Sequence, residues 1–296
     1  MTPNTKAHFA VLGTNLFFAG NYSLVKFISP SLGGPFSMNV LRVGISLFLF
    51  WLIWMFSRPE EKLHREDLGR FVLCGLTGVA LNQMFFVKGL TMTSTIHASL
   101  LILATPIVVT VFALWVLKEP FSFYKAAGLA LGIGGSVLLI MQKESSQTGS
   151  NYLLGDLFIL INSVTYAVYF ILVKPLMDRY TPMQVVRWIF TFGFVMILPF
   201  AWKETTEIRW NEFHSEHIAA LLFVTIAGSF LAYFFNAIAI QRLGAGITGT
   251  YIYTQPVFAV LIATLALHEA FTAQKLVAAL LIFCGVYLVS FRKSKS

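Results

Sequence analysis

Ten stretches of about 20 mostly apolar residues run through this chain, with only short polar gaps between them. They lie near 8–27, 35–56, 70–89, 95–117, 122–141, 153–174, 183–202, 217–240, 246–267 and 272–291. Coiled as an α-helix, a stretch of that length matches the hydrocarbon thickness of a bilayer. The longest gaps, 57–69, 142–152 and 203–216, are too short to hold a soluble domain. Backbone that crosses a membrane must satisfy its own hydrogen bonds, which leaves helices or a closed barrel. The runs are continuously apolar rather than alternating, so helices are predicted. Composition agrees: 57% hydrophobic and 11% charged residues leave too few polar side chains to coat a soluble domain.

The expected fold class is therefore all-α integral membrane with ten transmembrane helices. The first run is longer than the apolar core of a signal peptide and has no strongly basic lead, so it is expected to stay as helix 1. Cys74 and Cys284 lie far apart inside apolar runs and form no CxxC; neither a disulfide framework, a metal site nor a cofactor is expected. The net charge of +8 fits cationic loops facing anionic lipid headgroups rather than nucleic acid. Placing both termini in the cytoplasm puts thirteen loop Lys and Arg inside and six outside, the orientation that the positive-inside rule favours. Short loops and no visible organelle signal suggest a multi-pass protein of the cell inner membrane.

The second half repeats the first. Residues 71–140 slide without a gap onto 221–290: Gly78 meets Gly228, Pro106 meets Pro256, Glu119 meets Glu269, Lys125 meets Lys275 and Gly135 meets Gly285. Shared Leu is expected in any apolar sequence, but shared Pro, Glu, Lys and Gly at one offset is not. Leu24-Val25-Lys26 meets Leu172-Val173-Lys174, and Pro35 with Arg42 meets Pro182 with Arg187 after a small gap. The units are 1–141 and 153–291, joined by a linker at 142–152 and followed by a cytoplasmic tail at 292–296. Five spans per unit is an odd number, so the second copy enters the membrane from the opposite side. A 5+5 inverted repeat of this kind is a transporter signature.

Asn82-Gln83-Met84-Phe85-Phe86, Gly89-Leu90, Thr93-Ser94-Thr95, Thr105-Pro106 and Leu117-Lys118-Glu119 together resemble the EamA domain of the drug/metabolite transporter superfamily. Gln255-Pro256 and Leu267-His268-Glu269 resemble its second copy. The resemblance covers nearly the whole chain and is strongest in the later part of each repeat. It implies ten helices and movement of small metabolites, often amino acids. It also implies a central cavity lined mainly by helices 1, 3, 4, 6, 8 and 9. Lys118 and His268 depart from the family, which usually has Gly before the Glu.

Amides and phenols facing hydrocarbon are costly, so those within spans should face inward. Asn162, Tyr166 and Tyr169 form an i, i+4, i+7 stripe on helix 6. Tyr251 and Gln255 share a face of helix 9, as do Tyr233 and Asn236 on helix 8 and Asn15 and Tyr22 on helix 1; Asn82 sits within helix 3. As a set these residues form a candidate substrate lining; singly, each serves equally well as glue between helices. Pro106 and Pro256 are expected to kink helices 4 and 9 near their middles and act as hinges. Arg42 and Arg187 are expected to snorkel, and His97 to be a satisfied structural histidine. Gly128, Gly132, Gly134 and Gly135, with Ala278, Ala279 and Gly285, suit either packing of helix 5 on helix 10 or a homodimer contact.

All thirteen Asp and Glu fall in loops or at span ends. That disfavours a buried carboxylate that binds cationic drugs or relays protons. No HExxH, GxSxG or buried acid pair points to an intramembrane enzyme. The leading expectation is a metabolite transporter that alternates access around a midplane cavity. Its lining without midplane charge suits a neutral or zwitterionic solute with an apolar portion, an amino acid above all. A broader drug or nucleotide-sugar carrier is the alternative within transport.

Overall fold

Leu, Phe, Ile and Ala fill the apolar runs, and the computed structural model coils them as helices. It describes residues 3–56, 62–105, 107–108, 123–141, 151–266 and 272–290, and no strand occurs among the described residues. The helices are α1 (Pro3–Ile28), α2 (Pro35–Met55), α3 (Arg65–Met92), α4 (Thr95–Leu101), α5 (Phe123–Met141) and α6 (Tyr152–Arg179). They continue with α7 (Pro182–Thr206), α8 (Ser215–Gly244), α9 (Thr254–Ala266) and α10 (Ala273–Ser290). Two of them widen into π-helix, α3 at Leu76–Ala80 and α8 at Phe223–Leu231.

Local chemistry explains the starts. Pro35 and Pro182 occupy the first turns of α2 and α7, where a missing N–H breaks no helical bond. Thr181 caps α7 by accepting from Gln184 N at 3.3 Å, and Ser94 caps α4 by accepting from His97 N at 3.1 Å. The α2 start borrows its cap from α7: Glu204 Oε2 accepts from Phe36 N at 2.6 Å and Ser37 N at 3.2 Å. A carboxylate there meets both the free N–H groups and the positive end of the helix dipole.

Five helices, α2, α3, α6, α7 and α8, are long and apolar enough to cross a membrane. Their outer faces carry large apolar side chains such as Phe48, Val195 and Phe200, each more than half exposed. Such a belt belongs in lipid rather than in water. The shorter apolar stretches Ala126–Gly135 and Leu276–Gly285 lie in α5 and α10. α1 is not among the five clear spans; it is central, with Thr14, Asn15, Asn21 and Ser23 all buried against its neighbours.

The predicted run 246–267 is not one helix. Gly244 has φ 83° and ψ 160°, outside helical geometry, and a 3-10 turn at Tyr251–Tyr253 precedes α9. The run 95–117 is described only as far as residue 108, and α4 gives way to turns at Ile102 and Leu103. Pro106, Lys118, Glu119, His268 and Glu269 lie outside the described residues.

α3 packs on α6 and α7, α1 on α8 and α9, α2 on α7 and α8, α5 on α10, and α4 on α9. The small-residue stripe is used inside the chain, since a Cβ on Gly285 would lie 2.6 Å from the Gly128 carbonyl oxygen. α3 and α6 are tied at both ends. At one end, Asp67 accepts from Arg179 Nη1 at 3.1 Å and from the Tyr180 hydroxyl at 2.9 Å. At the other, Asp156 accepts from the Thr93 hydroxyl and lies 3.4 Å from His97 Nδ1, with Asp156 and His97 fully buried.

Candidate functional site

Side chains from six helices and the turn after α4 line a partly open cavity of about 50 Å³. α1 contributes Phe18, Asn21 and Tyr22, α2 contributes Arg42, and α3 contributes Asn82, Gln83 and Phe86. Ile102 comes from the turn after α4, Asn162 and Tyr166 from α6, Tyr233 from α8 and Gln255 from α9. The wall is half aromatic or aliphatic and half polar, and among the described residues it holds no carboxylate.

The polar groups form two connected sets. On one side the Tyr22 hydroxyl donates to Gln255 Oε1 at 3.3 Å, and Gln255 Nε2 donates to Asn15 Oδ1 at 2.7 Å. Asn15 Nδ2 turns back to Val11 O at 2.7 Å, so Asn15 positions Gln255 from behind the wall. On the other side the Tyr233 hydroxyl bridges Gly78 O at 3.1 Å and Asn82 Oδ1 at 3.4 Å, and accepts from Gln83 Nε2. Asn82 and Asn162 exchange side-chain to backbone bonds, at 2.8 Å from Asn162 Nδ2 to Asn82 O and 3.4 Å in return. These bonds join α1 to α9, α3 to α8 and α3 to α6 across the space.

Arg42 departs from its sequence expectation. It lies in the eighth position of α2, about 10 Å along the axis from Pro35. It does not snorkel: it is 1% exposed and lines the cavity. Its Nε donates to Ser229 Oγ at 2.9 Å and Nη2 reaches Gly228 O at 3.5 Å, both acceptors from the π-segment of α8. The expectation of a lining without charge at depth is therefore corrected. Arg187 is also buried, its guanidinium 4.7 Å from the Trp51 ring centroid and 4.8 Å from that of Trp54. These aromatic faces, rather than headgroups, receive its charge.

Six sequence candidates stand on the wall: Tyr22, Asn82, Asn162, Tyr166, Tyr233 and Gln255. Four stand off it. Asn15 backs Gln255, and Asn236 Nδ2 donates to the Tyr166 hydroxyl at 3.2 Å from behind. Tyr169 is buried and stacked on Tyr166, with ring centroids 5.9 Å apart. Tyr251 bonds to His8 Nδ1 at 2.8 Å instead. Sequence reasoning passed over Asn21, Gln83 and Arg42. The signal for Gln83 was its place in the Asn82-Gln83 pair; for Arg42 it was the repeat mate Arg187, two charges in spans that could otherwise shed them.

Pro256 is buried in the first turn of α9 rather than in the middle of a continuous helix. Starting a new helix at Thr254 removes the clash that a mid-helix proline would create. The position aligned with it in the first repeat, just after α4, behaves alike: Leu103 N bonds Leu100 O and Thr105 N bonds Ile102 O, both three-residue turns. Broken backbone at membrane depth is tolerated where protein or a wet cavity receives it, and Ile102 lies on the cavity wall.

The chain aligns over most of its length with proteins described as transporters. An uncharacterized transporter of Archaeoglobus fulgidus is 27% identical, with 97% of this chain and 98% of the relative covered. A WAT1-related protein of Arabidopsis thaliana is 25% identical over 98% of this chain and 86% of its own length. The uncharacterized transporter YoaV of Bacillus subtilis is 26% identical over 88% and 89%. A solved crystal structure superposes with a TM-score of 0.60 at 18% identity, covering 94% of both chains, which speaks for the fold alone. The family match itself falls in two segments, residues 5–141 and 153–291. With five apolar spans and an apolar belt around a central cavity lined in part by polar groups, the chain belongs to the EamA-like transporter family of the drug/metabolite transporter superfamily and is a multi-pass membrane protein.

Proposed function

We propose that this protein exports amino acids or close relatives, or facilitates their movement, by alternating access around the central cavity. The observation that carries the reading is the wall itself: amide and phenol groups from both halves converge beside Phe18, Phe86 and Ile102 on one central cavity. An amino acid presents charged groups to such amides and a side chain to such rings. The wall residues Asn82, Asn162, Tyr166, Tyr233 and Gln255 would meet the solute. Asn15, Tyr169 and Asn236 would hold them in place, and Tyr251 would tie the turn before α9 to His8 of α1.

The architecture read here is ten spans as a 5+5 inverted repeat, with both termini cytoplasmic in a cell inner membrane and repeat units 1–141 and 153–291. Exchanging each helix for the one five places on preserves most of the packing: α2–α7, α4–α9 and α5–α10 map onto themselves, α1–α8 maps onto α6–α3 and α3–α7 onto α8–α2, whereas α1–α9 has only a lesser counterpart in α6–α4. The π-segments of α3 and α8 exchange as well. Two matched family segments of similar length support the same division. Transporters built this way change access by swapping the conformations of their halves. The breaks before Pro106 and at Pro256 are the proposed hinges.

Counterflow into proteoliposomes with a panel of labelled amino acids and related metabolites tests the reading. Exchange of at least one amino acid is expected. Absence of flux for every amino acid, with exchange of a drug cation or a nucleotide sugar, would replace the substrate class.

A further inference from the structure

We propose that Arg42 is a carboxylate-binding residue, and that the substrate is held through an anionic end. The inference rests on the reading that the central cavity is the substrate site. Three observations carry it. Arg42 is 1% exposed and on the cavity wall, and no Asp or Glu lies on that wall among the described residues. Its Nε and Nη2 are committed to Ser229 Oγ and Gly228 O, whereas Nη1 is buried without a hydrogen-bond partner. A guanidinium fixed by two neutral acceptors and left with a free, desolvated donor is arranged to receive a counter-charge. Burying such a charge unpaired is costly in a low-dielectric interior, and an incoming carboxylate offsets that cost.

The same wall holds the complementary feature. Gln83 Oε1 and Asn21 Oδ1 are buried acceptors without partners, because Gln83 Nε2 is spent on Tyr233 and Asn21 Nδ2 on Gly228 O. One orphaned cationic donor and two orphaned amide acceptors around a single space match a carboxylate next to an N–H donor. An α-amino acid carries that pair of groups, and an amine or an amino amide lacks its anionic half. Arg42 thus sets which end of the solute enters α2's side of the cavity.

The experiment uses leucine, leucinamide and N-acetylleucine as probes of the purified full-length protein, read by the rise in melting temperature on ligand addition. Leucine and N-acetylleucine are expected to stabilise it, and leucinamide to require about 30-fold higher concentration for the same rise, as expected when a buried charge loses its partner. Arg42→Gln should erase the difference between leucine and leucinamide, and Arg42→Lys should keep part of it. Should Arg42→Gln fail to fold, the parent's own acid-against-amide comparison and Arg42→Lys still decide. The proposal is overturned if no carboxylate stabilises the parent, if leucinamide matches leucine there, or if Arg42→Gln keeps the parental preference. Arg42-dependent leucine binding without leucine counterflow would sink the transport reading and leave the subsite standing.

Discussion

The ring of Tyr169 lies across the α-carbon of Gly78, so close that a methyl group there would sit 2.4 Å from Tyr169 Cδ2. The repeat mate of this contact is Gly228 against Asn21, where a methyl group would sit 1.9 Å from Asn21 Oδ1. In each case a glycine in a π-segment lets a helix of the other half approach. Gly78→Ala and Gly228→Ala should each destabilise the protein by about 1–3 kcal/mol, the usual cost of overpacking. Gly228→Ala should also weaken substrate binding, because it displaces Asn21 and the carbonyl that holds Arg42. Thermal melting in detergent and ligand titration check both; parental values for Gly78→Ala would mean that α6 yields easily.

Tyr233 and Gln255 make the polar wall cohere. Tyr233→Phe strands Gln83 Nε2 and the Gly78 carbonyl, and Gln255→Leu strands Asn15 and Tyr22. Stranded buried groups cost about 1–3 kcal/mol each. With Asn82→Leu, both variants should lose roughly tenfold or more in counterflow at equal membrane abundance. Parental flux and apparent affinity in all three would reduce these residues to structural glue.

Pro256→Ala restores one N–H at the start of α9 and allows the 3-10 turn at Tyr251–Tyr253 to merge into a longer helix. Exchange between access states should slow several-fold while substrate binding stays near parental. Single-turnover efflux beside equilibrium binding separates the two, and equal losses in both would remove the hinge role.

The two ties between α3 and α6 should differ sharply. Arg179 has a side chain 58% exposed, so Arg179→Gln should cost less than about 1 kcal/mol. Asp156 is buried against His97 and Thr93, and Asp156→Ala should cost about 3–5 kcal/mol by leaving its partners without a counterpart. Melting temperatures of the two variants rank them, and a larger loss in Arg179→Gln would reverse the assignment.

Much of the fold was legible because bilayer thickness forces a run length that survives in sequence, and the helix ends match the predicted runs within a few residues at α2, α5 and α10. The break before Pro256 was half legible: the proline announced a disruption, but only the Gly244 backbone and the 3-10 turn show that the helix ends and restarts. Of the stripe on α6, Asn162 and Tyr166 lie on the cavity wall. The stripe could not separate them from Tyr169, because one helical face spans both the wall and the layer behind it. Arg42 was misread because a long cationic side chain near a span end has two outlets, and only the position of the α8 π-segment decides between headgroup and interior.

Each of the most extensive helix pairs joins a segment from before residue 142 to one from after it. During synthesis the ribosome delivers α1 to α5 first, with their mates still untranslated. The early segments must therefore wait in the bilayer with Arg42, Asn82 and their other polar groups unmatched, and they depend on the insertion machinery or on one another until the remainder arrives. The same geometry means that a chain cut within 142–150 and expressed as two pieces has all its principal adhesive surfaces facing the missing piece. Reassembly of the two fragments in one membrane, and rapid degradation of either made alone, is the cellular behaviour that this packing dictates.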